Sequence, residues 1–590
     1  MLSSGYEQVG PAPVSAASRQ EAQDGARPTQ AAPARTTHAQ SIPAKPLFEL
    51  GRIQYALPGP LLHIAAAANK LLLCIAPVDA TPMRLVYLDL DDPSRTQEAL
   101  LPPPIQARGA RWRQPTESTR VFIDPTAQHA LACTGTHTYY WTPSWPRARR
   151  VQQLDGVPVT AVGWGRPRTD PPVPLPSLPG TRKWIWTPPV LLGTARGDLV
   201  ETTITAQVGE DRFDLFDRWA RKSAGSIDYP LERGTYRLYS LASDAHPITG
   251  LSVEMKEKCA LIIVATSSRL YEFVGEVSTS VSAEASPVFL RVFDSYKQSL
   301  QPHWKTDLPP GLGTLLTVTS PVASPPHGST ARMMAWLTGA GIYAAQIEAG
   351  TGISGADLVV PPRMTESPIA MGRTPLHYVL VYADSLVCMN ALDPEVKYEV
   401  PLQLQSHEQV QGLVVDRSSH MCWMYTSMGG ILELLVHDEA RDMWHLLLKR
   451  QLFASALKFC RDDESRKQVL ENQGNALLAS GNALKAVECY AEARSPSFEH
   501  VALALMDAAA DNALRRYVKL CLDALPRTAR VQRLMLATWL LELFVRALHA
   551  SEKESELHHH LMSETESILR QHDADLDPST TYALLARQGC

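Results

Sequence analysis

The sequence predicts a seven-bladed β-propeller followed by an α-solenoid. Two observations carry this. Seven hairpin-like segments recur through the first 436 residues, each an apolar strand, a small or polar turn and a second strand with aromatic or branched residues. From Glu439 onward the apolar period becomes helical, in EARDMWHLLLKRQLFASALKFC and then SRKQVLENQGNALLASGNALKAVECYAEARS. The chain has 590 residues, too many for one core.

Residues 1–46 are rich in Ala, Ser, Pro and Gln with almost no large apolar residues, and are expected to be a disordered tail. They lack the apolar core of a signal peptide, and Glu7, Glu21 and Asp24 interrupt a transit-peptide pattern.

The propeller is expected over residues 47–437. Its hairpins begin at Leu71, Ala130, Val190, Ala260, Arg332, Tyr378 and Met421. A single hairpin is marginal in water, and radial repetition buries both faces of each sheet and shelters its edges. The expected unit has a strand of small and branched residues near the axis and a more exposed partner outside. Gly193, Gly197, Gly339, Gly341, Gly429 and Gly430 are placed at turns. Asp124 and Asp416 precede strands by a few residues, where a carboxylate can fold onto turn amides. Successive starts differ by 59, 60, 70, 72, 46 and 43 residues, so the wider spacings hold insertions. RPRTDPPVPLPSLPG, from Arg166 to Gly180, is one such surface loop, because proline that dense cannot be a central strand. A β-sandwich with long loops is the competing fold.

The solenoid is expected over residues 438–590. Met443, Trp444, Leu446 and Leu447 share a face. Gly481-Asn482 is read as a stop and a cap, Ser495-Pro496 as an N-cap with proline in the first turn, and Asp511 as a further cap; Pro526 ends that helix. Ala483, Ala486, Ala491 and Ala493 suit close helix contacts. TTYALLARQGC lacks an evident capping repeat, so the solenoid is expected to be truncated here.

Composition excludes several functions. Net charge is -5, which leaves no electrostatic footprint for nucleic acid. No apolar run reaches the roughly 18 residues of a membrane helix; Leu534 to Leu541, the best stretch, is bounded by Arg533 and Glu542. Nine scattered cysteines form no C-x-x-C pair and are expected as free thiols in a soluble, cytosolic protein. No P-loop, G-x-S-x-G, H-E-x-x-H or Rossmann fingerprint occurs. GTGISG (Gly350 to Gly355) is read as a flexible loop. His558, His559 and His560 point in different directions on a helix and converge poorly on a metal. With Glu552, Glu554 and Glu556 they read as a polar surface, and Trp184 and Trp186 as packing at a strand start. No catalytic, cofactor-binding or metal-ligating residue is assigned.

The ordered blocks Glu439-Ala440-Arg441-Asp442-Met443-Trp444, Phe459-Cys460, Cys489-Tyr490-Ala491, Phe498-Glu499, Ala502-Leu503, Thr538-Trp539-Leu540 and Glu542-Leu543 resemble the vacuolar protein sorting 18, or deep-orange, family. Upstream, Val162-Gly163-Trp164, Leu192-Gly193-Thr194-Ala195 with Gly197, and Ala265-Thr266 with Arg269-Leu270-Tyr271 follow the same order. The resemblance implies a solenoid of clathrin-repeat-like helical hairpins and a core subunit of HOPS and CORVET tethers, which join endosomes to vacuoles or lysosomes before fusion. It implies other tether subunits as partners, including a Sec1/Munc18-like SNARE regulator, with Rab GTPases and SNAREs reached indirectly. It places the protein in the cytoplasm, peripheral on late-endosome and vacuole or lysosome membranes. The family's C-terminal zinc module has no counterpart cysteines here, so zinc is not expected. A coat or nuclear-pore scaffold and a propeller enzyme are the rival readings; the enzyme would need convergent carboxylates or metal ligands at the axial mouth.

Overall fold

The computed structural model describes residues 7–8, 46–53, 55–76, 82–102, 119–135, 137–143, 145–165, 184–186, 188–207, 235–241, 246–256, 258–278, 287–297, 304–310, 316–319, 332–348, 350–363, 366–552 and 555–588. The expected tail, apart from Glu7, Gln8 and Pro46, and the proline-rich loop lie outside these residues. The chain divides into two compact units, Met1–Glu439 and Ala440–Cys590.

The first unit is a seven-bladed propeller of antiparallel sheets. Blade 1 is Leu61–Ala67, Lys70–Ile75, Arg84–Asp89 and Gln97–Leu100; blade 2 is Thr119–Ile123, Ala130–Thr134, Thr138–Trp141 and Arg149–Arg150. Blade 3 is Val159–Trp164, Val190–Thr194, Asp198–Thr202 and Thr235–Ser240; blade 4 is Gly250–Lys256, Cys259–Ala265, Arg269–Glu276 and Trp304–Asp307. Blade 5 is Leu316–Thr319, Arg332–Thr338, Gly341–Glu348 and Gly352–Val359; blade 6 is Ala370–Arg373, His377–Val381, Ser385–Asn390 and Val396–Pro401. Blade 7 takes Val410–Val415, Cys422–Thr426 and Ile431–Val436 from the end of the unit and Phe48–Ile53 from its start, paired from Phe48↔Val436 to Ile53↔Ile431. That composite sheet closes the ring with chain segments nearly four hundred residues apart in sequence, and its outer edge carries Glu7–Gln8.

All seven sequence hairpins are present, but they are the two middle strands of each blade. The expectation of an exposed outer partner is therefore corrected: Ala260 to Ala265 and then Leu270, Tyr271 and Phe273 are all buried. Middle strands are covered by neighbouring blades on both faces, so they read as near-continuous apolar runs. Most inner strands lack that signal because they are short or glycine-bearing, as in Leu316–Thr319 and Ala370–Arg373. A Cβ on Gly372 would lie 2.8 Å from both Leu413 and Val415 of blade 7. Gly193 lies within a strand, 2.6 Å from Ile248 by the same construction, and not at a turn. GTGISG is a loop only at Gly350 and Thr351, since its last four residues open the outer strand Gly352–Val359. Helix α1, Leu290–Lys297, lies on blade 4 with Val292 and Phe293 buried against Phe273.

The second unit contains α2 (Met443–Lys449), α3 (Phe453–Phe459), α4 (Asp463–Ala479), α5 (Ala483–Ala493), α6 (Phe498–Asp507), α7 (Asp511–Ala524), α8 (Arg530–Ala550), α9 (Glu556–Gln571) and α10 (Pro578–Gln588). One apolar core runs through α5–α9, including Val487, Tyr490, Leu505, Tyr517, Leu540 and Phe544. Helices α4 and α5 cross closely at Gly474, where a Cβ would meet the Tyr490 ring at 2.6 Å. Gly481 ends α4 with φ +82°, as expected. The cap assignments shift. Asn482 occupies the N-cap of α5 without a side-chain bond; α6 starts at Phe498 behind Ser497, and Ser495 instead donates to Glu471 at 2.9 Å. Asp511 is the first helical residue of α7 and Ala510 the N-cap.

Candidate interaction surfaces and family

Propellers hold shape only if their blades stay in register, and a polar contact crosses each blade boundary. Val121 N–H donates to His63 Nδ1 at 3.4 Å between blades 2 and 1. Arg120 donates to the Thr160 carbonyl at 2.9 Å, linking blades 2 and 3, and Thr160 Oγ1 donates to the Ile248 carbonyl at 2.6 Å just ahead of blade 4. Glu272 of blade 4 accepts from the Ile353 amide of blade 5. Arg373 of blade 6 donates to the Met334 carbonyl of blade 5 at 3.4 Å. Asn69 N–H donates to Asp416 at 2.7 Å, joining blade 1 to blade 7.

At the remaining boundary, blades 6 and 7, the contact is made by Glu439, which follows the last strand of blade 7. Its carboxylate accepts from Thr374 Oγ1 at 2.6 Å and pairs with His377 Nδ1 at 3.2 Å; the other ring nitrogen of His377 faces Asn390 at 3.3 Å. His377 is buried and also meets Phe48 edge-on at 5.0 Å. The final residue of the propeller unit is thus fastened to blade 6 by an acid in a largely dry site. A charge-assisted bond there is stronger than a neutral one. Glu439 also opens the ordered block that the sequence singled out, which gives that block a physical role.

Asp124 and Asp416 behave as expected. Asp124 accepts from the amides of Gln128 at 2.8 Å and His129 at 2.7 Å, and Asp416 from that of Ser418 at 2.8 Å. The link from Asp416 to blade 1 was invisible in sequence, since its partner Asn69 lies 347 residues away. Glu201 is a further buried acid that sequence reasoning missed. It accepts from the amides of Val288 at 2.6 Å and Phe289 at 2.9 Å and so fixes the start of α1.

Burial dominates the electrostatics. The His63 imidazole is lowered to about 4 by desolvation, with the Arg120 guanidinium adding to the effect. The thiols of Cys74, Cys133 and Cys422 are pushed up to about 12 by burial. Among the described residues no group of three His, Cys, Asp or Glu side chains is placed to hold a metal. His558 pairs with Ser551 at 2.8 Å and His560 with Glu564 at 3.7 Å on α9, so the three histidines do not converge. No described helix is long and apolar enough to cross a membrane.

In the helical unit, Arg533 of α8 donates to the Leu522 and Leu525 carbonyls at 3.0 and 2.7 Å and forks onto Asp575 at 2.9 and 2.6 Å. One side chain thereby satisfies the C-terminal end of α7 and ties it to the turn after α9. Ten of the fifteen exposed large apolar side chains among the described residues belong to this unit, although it is the smaller one. Two of them, Leu484 and Leu557, line a groove of about 710 Å³ formed by the N-terminal ends of α5 and α7, the C-terminal end of α8 and the first turns of α9. Exposed apolar surface of this kind marks contact with other macromolecules.

Comparison with known proteins matches the two units separately. Residues 46–435 match the Pep3/Vps18/deep orange beta-propeller domain, and residues 437–590 match the first half of the VPS18 alpha-solenoid domain. The chain is 24% identical over 563 residues to the vacuolar protein sorting-associated protein 18 homolog of Danio rerio, covering 92% of this chain and 52% of that protein. It is 24% identical over 505 residues to vacuolar sorting protein 18 of Arabidopsis thaliana, covering 80% and 46%. It is 25% identical over 240 residues to the vacuolar membrane protein pep3 of Schizosaccharomyces pombe, covering 39% and 26%. The chain spans about half the length of the curated relatives it matches over most of its own length. With both of its units matched in order, the chain belongs to the Pep3/Vps18/deep orange family of vacuolar sorting proteins.

Proposed function

We propose that the chain is a core scaffold subunit of a HOPS- or CORVET-type tether in endosome-to-vacuole or lysosome transport, acting by protein–protein contact and not by catalysis. The observation that carries this is the match of both units, in order, to one vacuolar sorting family. The abundance of exposed apolar side chains on the helical unit supports it. Its partners are the other tether subunits, including a Sec1/Munc18-like SNARE regulator, with Rab GTPases and SNAREs engaged through them. Attachment to two membranes at once raises the effective concentration of the fusion machinery between them. The chain itself needs no metal or cofactor for this work and sits peripherally on late-endosomal and vacuolar membranes.

Localisation of a fluorescently tagged chain tests the proposal. It is expected at late endosomes and vacuoles or lysosomes, and to leave those membranes when the other tether subunits are depleted. A nuclear-rim pattern, or a coat-like pattern indifferent to that depletion, would favour the rival scaffolds.

A further inference from the structure

We propose that the outer edge of blade 7 is a strand-addition site, that its resident is the chain's own N-terminal segment at Glu7–Gln8, and that the residue opposite Gly51 selects the strand by reaching Glu433. The inference does not depend on which complex the chain joins. The edge belongs to Phe48–Ile53, and Glu7–Gln8 pairs with it antiparallel, Glu7 opposite Arg52 and Gln8 opposite Gly51. The outer strand of a blade presents unpaired amides and carbonyls that can take a further strand. Among the described residues the sheets of the other six blades end at four strands, and blade 7 alone has a fifth. Residues 9–46 join the segment to its edge within one chain, and such linkage raises the local concentration of the tethered strand. A two-residue pairing, too short to hold by itself, can then occupy the edge.

The side-chain requirement comes from one row of residues. Trp423, Glu433, Gly51 and Gln8 stand opposite one another across blade 7. Opposed residues of antiparallel strands point to the same face. For this row it is the face of Ile431, which packs toward blade 1. Glu433 is 6% exposed, and its carboxylate has neither a hydrogen-bond nor an ion-pair partner among the described residues. Trp423 does not supply one, since its buried ring N–H bonds to nothing there. Burial accordingly raises the Glu433 carboxyl above its ordinary value. A buried acid left unpaired is costly. On its outer side stands Gly51, which puts no side chain between Glu433 and the added strand. Two strand spacings, about 9–10 Å, separate that strand from Glu433, a gap that a glutamine or lysine side chain and the glutamate span between them. The register gives the position to Gln8, a residue type with amide donors. The nearby charges at the edge are Arg52, set opposite Glu7, and Glu49, which already pairs with His437 at 2.9 Å.

The test uses the full chain. Cysteines replace two opposed residues, Glu7→Cys with Arg52→Cys, whose Cα spacing of about 4.5–5.5 Å suits a disulfide. Under mild oxidation the link is identified by mass spectrometry of its peptide. It is expected to form about tenfold or more faster than for Glu7→Cys with Lys397→Cys, on the outer strand of blade 6. Added to the first pair, Gln8→Lys should keep the rate and Gln8→Glu should slow it by about threefold. Glu433→Gln, which conserves volume, should abolish that difference, with circular dichroism checking that the propeller stays folded. A rate no faster than the blade 6 control overturns the strand site. Equal rates for Gln8→Lys and Gln8→Glu, or a difference that persists in Glu433→Gln, overturns the role of Glu433. Links formed only between two chains make the resident a second copy's segment and overturn the assignment within one chain.

Discussion

Single side chains set the register of this molecule. Glu439 is the clearest case, because it converts the exit from the propeller into an anchored position. Glu439→Ala should cost about 2 kcal/mol of propeller stability, read by urea unfolding, since it leaves Thr374 and buried His377 without their acid. A loss below a few tenths would show that water replaces the carboxylate without penalty. His63 gives a pH effect of defined sign. Burial lowers its folded pKa to about 4, below the ordinary imidazole value of 6.5. Above pH 6.5 both states are neutral there. Below that value the unfolded chain takes up a proton that the folded chain refuses, so stability falls by at most about 3 kcal/mol as the pH drops toward 4. His63→Gln keeps an acceptor for the Val121 amide and should remove that part of the slope. At this scale the sequence disclosed local acids such as Asp124, whose partners lie within five residues. It hid Glu201, whose partners are 87 and 88 residues away, because long-range pairing leaves no local pattern.

Elements are held by covered middle strands and by shared helix ends. Arg533 serves two carbonyls and a carboxylate from a buried position, so Arg533→Ala should destabilise the helical unit by about 3 kcal/mol. Thermal unfolding followed at 222 nm measures it; an unchanged melting temperature would contradict the structural role given to the fork. Thiol labelling tests the middle strands. Cys74, Cys133, Cys388 and Cys422 are buried, and all four have raised pKa values. They should resist iodoacetamide until the propeller unfolds, while Cys259, Cys460, Cys489 and Cys521, which are only partly buried, react earlier. The hairpins were legible because two-sided burial writes long apolar runs. Inner and outer strands were not, since several are only two to four residues long and the inner ones are spaced by close backbone approach. Helix existence was legible from period, whereas caps moved by a residue or two: Asp511 sits inside its helix and Ser495 bonds Glu471.

At the level of the whole molecule, a closed ring and a helical array supply surface and no catalytic centre is assigned. The order of the two units was readable from the change of period near Val436, and the family from short blocks on both sides of it. The groove was not readable, because it assembles Leu484, Arg515, Ala547 and Leu557 from four helices. The central claim is that the chain scaffolds a tether, and affinity purification of the tagged chain from cells, with mass spectrometry of what it retains, tests it most directly. Recovery of the other HOPS or CORVET core subunits and the Sec1/Munc18-like partner is the predicted result; recovery of coat or nuclear-pore subunits in their place would contradict it.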